Sequence, residues 1–172
     1  MLRLMLLRHA KSDSAPGLAD LQRPLAERGR HEAGCVAQYL VSQQLRPDLA
    51  VVSSAVRTQQ TWEYVARAYD SGIEKVTESR IYEASVRDIV HVIRNIEPGP
   101  RTVLVVGHNP GLYLTAGYFY KDGNADAFSR MQTGFPPASL VVMNFATDEW
   151  SGLGESTGTL ERFETPESIE SN

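Results

Sequence analysis

An arginine and a histidine follow a short apolar segment at the start of the chain. Residues 2–7 are apolar except for Arg3, and Arg8 and His9 come directly after them. An apolar run of this length is typical of a buried strand. In open α/β sheets, ligands bind just beyond the carboxyl ends of the strands. A guanidinium group placed there can hold a phosphate, and an imidazole can act as a nucleophile or as an acid–base group.

Two later predicted strands end in residues of the same chemistry. His108 follows the β-branched strand Thr102–Gly107, and Arg57 follows the strand Leu49–Val52 in the first turn of a predicted helix. A cation is disfavoured at that end of a helix because the helix dipole is positive there, unless an anion lies close by. An exposed surface side chain is the alternative interpretation of Arg57, as it is of the Arg-His pair after the first strand.

The alternation of strands and helices predicts the framework that brings these residues together. Strand and helix patterns alternate from residue 2 to about residue 145, which predicts a three-layer α/β/α fold with a mostly parallel central sheet. The three strands would present their carboxyl ends at one edge of that sheet. Arg8, His9, Arg57 and His108 would then meet in one crevice, as a positive cluster that a phosphate dianion would neutralise.

Local patterns give further predictions around this framework. Ser53-Ser54 is predicted to cap the helix that carries Arg57, and Ser71-Gly72 to end it. The segment 121–137 is predicted to be a loop that forms part of a lid or of a pocket rim. Residues 159–163 alternate like an edge strand.

Composition limits the class of protein. The 172 residues, 42% hydrophobic and 22% charged, predict one catalytic domain over 1–164 and a polar, mobile tail over 165–172. A formal net charge of −4 argues against nucleic acid or an acidic membrane as the main partner. The single cysteine excludes an internal disulfide, and no signal peptide or membrane-spanning run is recognisable, so a cytoplasmic location is predicted.

Other phosphate chemistries lack their sequence signatures. Cys35 has Val41 six positions later, where a cysteine-based phosphatase loop requires an arginine. Neither a glycine-rich P-loop nor a Gly-x-Ser-x-Gly elbow is present. His31 and His91 are predicted to lie on the surface, and no metal-ligand spacing is recognised. The sequence therefore predicts no metal and no cofactor.

Three segments together resemble the histidine phosphatase superfamily. They are Leu7-Arg8-His9-Ala10-Lys11, the segment Ser53-Ser54-Ala55-Val56-Arg57-Thr58-Gln59-Gln60-Thr61, and Gly107-His108-Asn109-Pro110-Gly111. The resemblance is closest to the short bacterial branch, the SixA-like phosphohistidine phosphatases, to which Arg23-Pro24-Leu25, Gly29 and Phe135-Pro136-Pro137-Ala138 are also similar. The family pattern often has glycine after the Arg-His pair, where this chain has Ala10.

The resemblance implies a histidine-phosphatase-like fold and a phosphatase that needs no metal. His9 would be the nucleophile and would become phosphorylated, with its other ring nitrogen donating to a backbone carbonyl. Arg8, Arg57 and His108 would bind the non-bridging phosphate oxygens. Glu83 stands where many relatives have a proton donor for the leaving oxygen; a solvated loop glutamate is the alternative interpretation.

The short chain favours a protein substrate, because larger relatives carry insertions that cap a small-molecule pocket. The predicted function is the removal of phosphate from phosphohistidine in a protein, such as a phosphotransfer domain of a signalling relay. One alternative is the same chemistry on a small phosphate ester, such as a sugar or nucleotide phosphate. Another is a non-catalytic module that binds phosphoproteins. The sequence makes no prediction of the oligomeric state.

Overall fold

The computed structural model describes residues 1–70 and 72–172, and within those residues it contains seven strands, six helices and three short 3-10 turns. The strands are β1 (Leu2–Arg8), β2 (Leu49–Val52), β3 (Glu74–Thr77), β4 (Thr102–Gly107), β5 (Tyr120–Gly123), β6 (Leu140–Phe145) and β7 (Gly158–Glu164). The helices are α1 (Glu27–Ser42), α2 (Val56–Arg67), α3 (Val86–Arg94), α4 (Gly111–Phe119), α5 (Ala125–Thr133) and α6 (Pro166–Glu170). The 3-10 turns are Asp20–Gln22, Ser79–Ile81 and Trp150–Gly152. Ser71, part of the predicted end of the Arg57 helix, lies outside the described residues.

The seven strands form one sheet in the order β3-β2-β4-β1-β6-β7-β5. Strands β1 to β4 are mutually parallel, while β6 is antiparallel to both of its neighbours, β1 and β7. The prediction of an α/β fold with a mostly parallel central sheet is therefore confirmed. The prediction of an edge strand over 159–163 is wrong, because β7 lies inside the sheet and pairs with β5 on its other side.

Strand β1 divides the core into two layers. Leu4 and Leu6 belong to the cluster that also contains the buried side chains of α3, α4 and α5. Met5 and Leu7 belong to the opposite cluster, under α1 and α2. Successive side chains of a strand point to opposite faces, so an unbroken apolar run fills both layers at once. The three-layer architecture follows directly from that run.

The prediction of a loop over 121–137 is wrong for residues 121–133, most of which belong to β5 and α5, whereas residues 134–137 do form a loop. The segment contains the end of β5 and the helix α5, whose first turn is capped by Asn124 through a hydrogen bond from Ala127 N. Ala127 and Met131 are buried in the core, so α5 packs down against the sheet. Ala127, Phe128 and Met131 have helical spacing, but the helix is only nine residues long, and so short a pattern is a weak signal in the sequence.

The segment 165–172, predicted to be a mobile tail, carries the short helix α6. Thr165 and Ser168 form a capping box at its start, and Pro166 is buried at the first turn. Ile169 packs against the core layer under α1 and α2. A helix of five residues has little stability of its own, so contacts with α1 must hold it in place. Its mobility in solution stays a prediction.

Helix α1 passes so close to the loop after β1 that only glycine fits at one position. A Cβ added to Gly29 would lie 1.9 Å from the carbonyl oxygen of Lys11. We expect Gly29→Ala to lower the free energy of unfolding by about 1–3 kcal/mol, because backbone on both sides must shift. Gly34→Ala, on the same helix with open space around its Cβ, should instead raise it by about 0.5–1 kcal/mol. Urea titration of both variants measures the difference; an unaffected Gly29→Ala would contradict the close approach.

Candidate active site

The loops that follow β1, β2 and β4 meet at one edge of the sheet. His9 N donates to Gly107 O at 3.0 Å, and Ser53 N donates to Val106 O at 3.0 Å, so the strand ends are tied together. A pocket of about 260 Å³ lies there, and the five predicted site residues all line it: Arg8, His9, Arg57, Glu83 and His108. A larger surface groove, of about 1140 Å³, runs along α3 and includes none of the five.

His9 is held in one orientation at the base of the pocket. Its backbone carbonyl accepts from Ala138 N at 3.1 Å, and its Nδ1 lies 2.7 Å from Ala10 O. Since a carbonyl can only accept, Nδ1 carries the proton and Nε2 is left with a free lone pair. Burial lowers the pKa of His9 to about 4, and the nearby guanidinium groups of Arg57 and Arg8 act in the same direction. The imidazole is therefore neutral near neutral pH.

His108 stands beside His9, with 5.3 Å between the ring centroids. Its Nε2 lies 2.7 Å from Ser53 Oγ, and burial lowers its pKa to about 3. The predicted role of Ser53-Ser54 as a helix cap is wrong, because Ala55 occupies the capping position without a side-chain hydrogen bond. Ser53 orients His108 instead.

Arg57 is the second residue of α2 and is only 3% exposed. Its Nη1 donates to Asp20 O at 2.7 Å, its Nη2 donates to Asp20 Oδ2 at 3.0 Å, and Nη2 also lies 3.4 Å from His108 Nδ1. A guanidinium group at the positive end of a helix requires an anion, and Asp20 supplies it in this structure. The fork of Arg57 faces the pocket and can bind oxyanions in two contacts.

Arg8 adds a second guanidinium group to the pocket wall. Its Nη1 donates to Phe135 O at 2.8 Å, while its Nε is buried without a hydrogen-bond partner among residues 1–70 and 72–172. Burial also lowers the pKa of Arg8. A buried N–H of a charged group is costly unless it is paired. The guanidinium group lines the pocket, where an oxyanion would neutralise its charge.

Asp20 and Tyr82 belong to the site although the sequence does not predict them. The Tyr82 hydroxyl donates to Asp20 Oδ2, and Arg23 Nη1 donates to Asp20 Oδ1 at 3.0 Å. The hydrogen bond from Tyr82, followed by those from Arg57 and Arg23, holds the pKa of Asp20 well below its usual range. The sequence offered one indication of Asp20, which lies three residues before the segment Arg23-Pro24-Leu25 that resembles the family.

Glu83 lies at the mouth of the pocket, with its side chain 59% exposed. Its Oε1 is 3.8 Å from Arg57 Nη2. The backbone of Glu83 has a φ of +47°, which is unfavourable for a residue with a side chain and often marks functional sites. The position fits the predicted proton donor, and the catalytic role stays a prediction.

The two buried histidines make the stability of the fold sensitive to acid. Their pKa values are lowered to about 4 and about 3 in the folded chain, against about 6.5 in the unfolded chain. Their contribution to stability is fully present above about pH 6.5 and is lost as pH falls towards about 4, because only the unfolded chain binds protons in that range.

We expect the fall in thermal midpoint between about pH 7 and about pH 5 to be smaller in His108→Gln than in the wild type. His91→Gln, at an exposed position, is the control; equal slopes in all three proteins would contradict the prediction.

The site thus combines one neutral imidazole with a free nitrogen, a second imidazole and two guanidinium groups. The guanidinium groups can hold the oxygens of a phosphoryl group and stabilise the charge that spreads over them during transfer. The free nitrogen of His9 can accept the phosphoryl group. This arrangement fits phosphoryl transfer through a covalent histidine intermediate.

Known proteins share both the sequence and the fold. The family model described as "Histidine phosphatase superfamily (branch 1)" matches residues 4–89, half of the chain. An uncharacterised protein of Mycobacterium tuberculosis is 30% identical over 164 residues, which cover 93% of this chain and 99% of that protein.

Two solved bacterial structures, both assigned as the phosphohistidine phosphatase SixA, have the same fold. The one from Agrobacterium tumefaciens has a TM-score of 0.79 and 31% identity, covering 96% of this chain and 99% of its own. The one from Nakamurella multipartitia has a TM-score of 0.83 and 25% identity, covering 96% of each chain. The family match and these likenesses lead to one conclusion: the chain belongs to the histidine phosphatase superfamily, branch 1, and is a SixA-like phosphatase.

Proposed function

We propose that the protein removes phosphate from phosphohistidine in a partner protein, through a phosphorylated His9. The observation that carries the proposal is the hydrogen bond between His9 Nδ1 and Ala10 O, at 2.7 Å, within a pocket that also holds two guanidinium groups. It supports the tautomer with the proton on Nδ1, which leaves Nε2 free to act as the nucleophile. The partner, the cytoplasmic location and the role of each site residue are part of this proposal.

The reaction proceeds in two in-line steps. His9 Nε2 attacks the phosphorus of the substrate, a new N–P bond forms, and the N–P bond to the substrate imidazole breaks while that imidazole takes up a proton. A water molecule then attacks phosphorus, the bond to His9 breaks, and inorganic phosphate leaves as Nε2 recovers its electron pair. Arg8 and Arg57 hold the non-bridging oxygens in both steps, so positioning and fixed charge provide most of the rate enhancement.

The size of the pocket supports a substrate whose bulk stays outside it. Its volume, about 260 Å³, falls below the range of about 300–1,000 Å³ that is typical of small-molecule sites. Helix α5 packs against the sheet and provides no cover, while Pro137 contributes only to the wall of the pocket. A phosphoryl group on an exposed side chain of another protein can enter such a site, whereas a sugar or nucleotide would find few contacts.

Substrate competition tests this proposal directly. Wild-type protein is offered a phosphohistidine protein or peptide, sugar phosphates and nucleotides at matched concentration, and kcat/KM is measured for each. We expect phosphohistidine to be preferred by roughly a hundredfold, about 2.7 kcal/mol of transition-state binding. A preference for a sugar or nucleotide phosphate would favour the small-ester alternative instead.

Glu83 provides a second discrimination between these substrates. With phosphohistidine, Glu83→Gln should change kcat by no more than a few fold, because an imidazole leaving group needs little help from an acid. An alkyl phosphate has a poor leaving group. If Glu83 protonates the leaving oxygen, Glu83→Gln should lower the rate of alkyl phosphate hydrolysis by ~10²-fold or more. Glu74→Gln, at an exposed position on β3, is the matched control. A large loss with phosphohistidine would contradict the proposed substrate.

The sequence also left open a different class of function, a non-catalytic phosphoprotein-binding module. It would retain the arginines but would have no use for a free nitrogen on His9. Rapid quenching during turnover, followed by mass spectrometry, decides between the two classes. Phosphate recovered on His9 excludes the binding module, and its absence under single-turnover conditions excludes the covalent mechanism.

A further inference from the structure

A histidine, a cysteine and a glutamate converge on the outer side of α1, in residues that the phosphatase mechanism does not use. His31 and Cys35 are one turn apart on α1, and Glu170 reaches them from α6. His31 Nε2 lies 2.6 Å from Glu170 Oε1. Cys35 Sγ lies 3.3 Å from the same oxygen and 3.6 Å from the same nitrogen. One atom from each side chain therefore points towards a common centre.

These three atoms have the spacing of ligands around one metal ion. Tetrahedral Zn²⁺ has bonds of about 2.0–2.3 Å, which place its ligand atoms roughly 3.3–3.6 Å apart. The two separations that involve Cys35 Sγ are already in that range. The separation between His31 and Glu170 must lengthen by about 0.7 Å, and both side chains are at least half exposed and free to rotate.

We propose that His31, Cys35 and Glu170 bind a zinc ion that fastens α6 to α1. Imidazole, thiolate and carboxylate are the ligands of zinc sites in proteins, whereas Mg²⁺ and Ca²⁺ bind oxygen ligands. Because the cluster is exposed, water completes the coordination. The ion replaces the protons that now join the three side chains, so binding releases protons to solvent.

The surroundings of the cluster favour a cation. Glu32, on the same helix, is 5% exposed and its Oε1 has no hydrogen-bond partner within the described part of the chain. It pairs with Arg28 at 3.7 Å, and the Arg28 side chain is largely exposed. No metal-ligand spacing is recognisable in the sequence because Glu170 is 135 residues away from Cys35. Only the docking of α6 completes the set of three.

Cobalt titration of the metal-free full-length protein tests the site. Cys35 is the single cysteine of the chain, so a thiolate-to-cobalt charge-transfer band in the near ultraviolet can arise only there. We expect the band to appear with one equivalent of Co²⁺ and to disappear when Zn²⁺ is added, since Zn²⁺ binds such sites more tightly. Absence of the band at millimolar Co²⁺ would overturn the proposal.

Variants assign the ligands and separate the site from the phosphatase. Cys35→Ser should abolish the band, and His31→Gln and Glu170→Gln should each weaken Co²⁺ binding by roughly tenfold or more. His91→Gln and Glu167→Gln, at exposed positions outside the cluster, are the matched controls.

Amide exchange in α6 should slow on addition of Zn²⁺ in the wild type but not in Glu170→Gln. Unchanged Co²⁺ affinity in Glu170→Gln would show that α6 takes no part, and the proposed fastening would be wrong.

Discussion

Replacing His9 with alanine is expected to reduce turnover by at least roughly 10⁴-fold, because the group that receives the phosphoryl group is removed. The side chain is 8% exposed and directly follows a strand that is paired on both sides, so we expect the fold to tolerate the smaller residue. The measurement is kcat/KM with a phosphohistidine substrate, together with rapid-quench detection of phosphorylated protein. Both signals should disappear in His9→Ala.

The control for His9→Ala is His91→Ala, which removes an exposed imidazole from α3. It should retain full activity and the quenched intermediate. Circular dichroism and thermal midpoints show whether His9→Ala is folded. A folded His9→Ala protein with normal turnover would eliminate the covalent mechanism, whatever the substrate.

Substitution of Arg57 should have the second largest effect. Arg57→Met removes the group that holds the phosphoryl oxygens in the transition state, and we expect kcat/KM to fall by ~10²–10³-fold. Arg57→Lys retains the charge but loses the planar fork that can contact two oxygens, and should recover only part of the activity. The matched control is Arg67→Lys, an exposed position at the end of the same helix.

Folding must be separated from catalysis at Arg57, because its side chain pairs with the pocket-lining Asp20. The double variant Arg57→Met with Asp20→Asn removes both charges and serves as the stability reference. If the double variant is as stable as the wild type but equally inactive, the loss is catalytic. If kcat/KM falls by less than about threefold in folded Arg57→Met, a role of Arg57 in the transition state is contradicted.

The sequence predicts those parts of the molecule that local pattern determines. The apolar run of β1 and the β-branched run of β4 identify two neighbouring strands, and the histidine that follows each of them lines the pocket. Arg57 was recognisable as a candidate site residue because a cation in the first turn of a helix needs an anion close by. Parallel pairing of the strands then brings the predicted site residues together at one edge of the sheet.

The parts that the sequence does not predict depend on contacts between distant segments. Ser53 has the pattern of a helix cap, yet its hydroxyl contacts His108 across the sheet edge. Tyr82 and Asp20 are 62 positions apart, and nothing in the sequence indicates that the Tyr82 hydroxyl donates to the Asp20 carboxylate. Helix α5 is only nine residues long, and its stability depends on packing against the sheet beneath it.

The pairing of Asp20 with Arg57 has a consequence for every oxyanion that enters the site. A phosphoryl group that binds Arg57 competes with the carboxylate of Asp20, which the chain holds beside the guanidinium group at the same effective concentration for substrate and for product. Affinity for both is weakened by a common factor, so inorganic phosphate is not retained after hydrolysis. The carboxylate of Asp20 then returns to the guanidinium group, which is left with an ionic partner between turnovers.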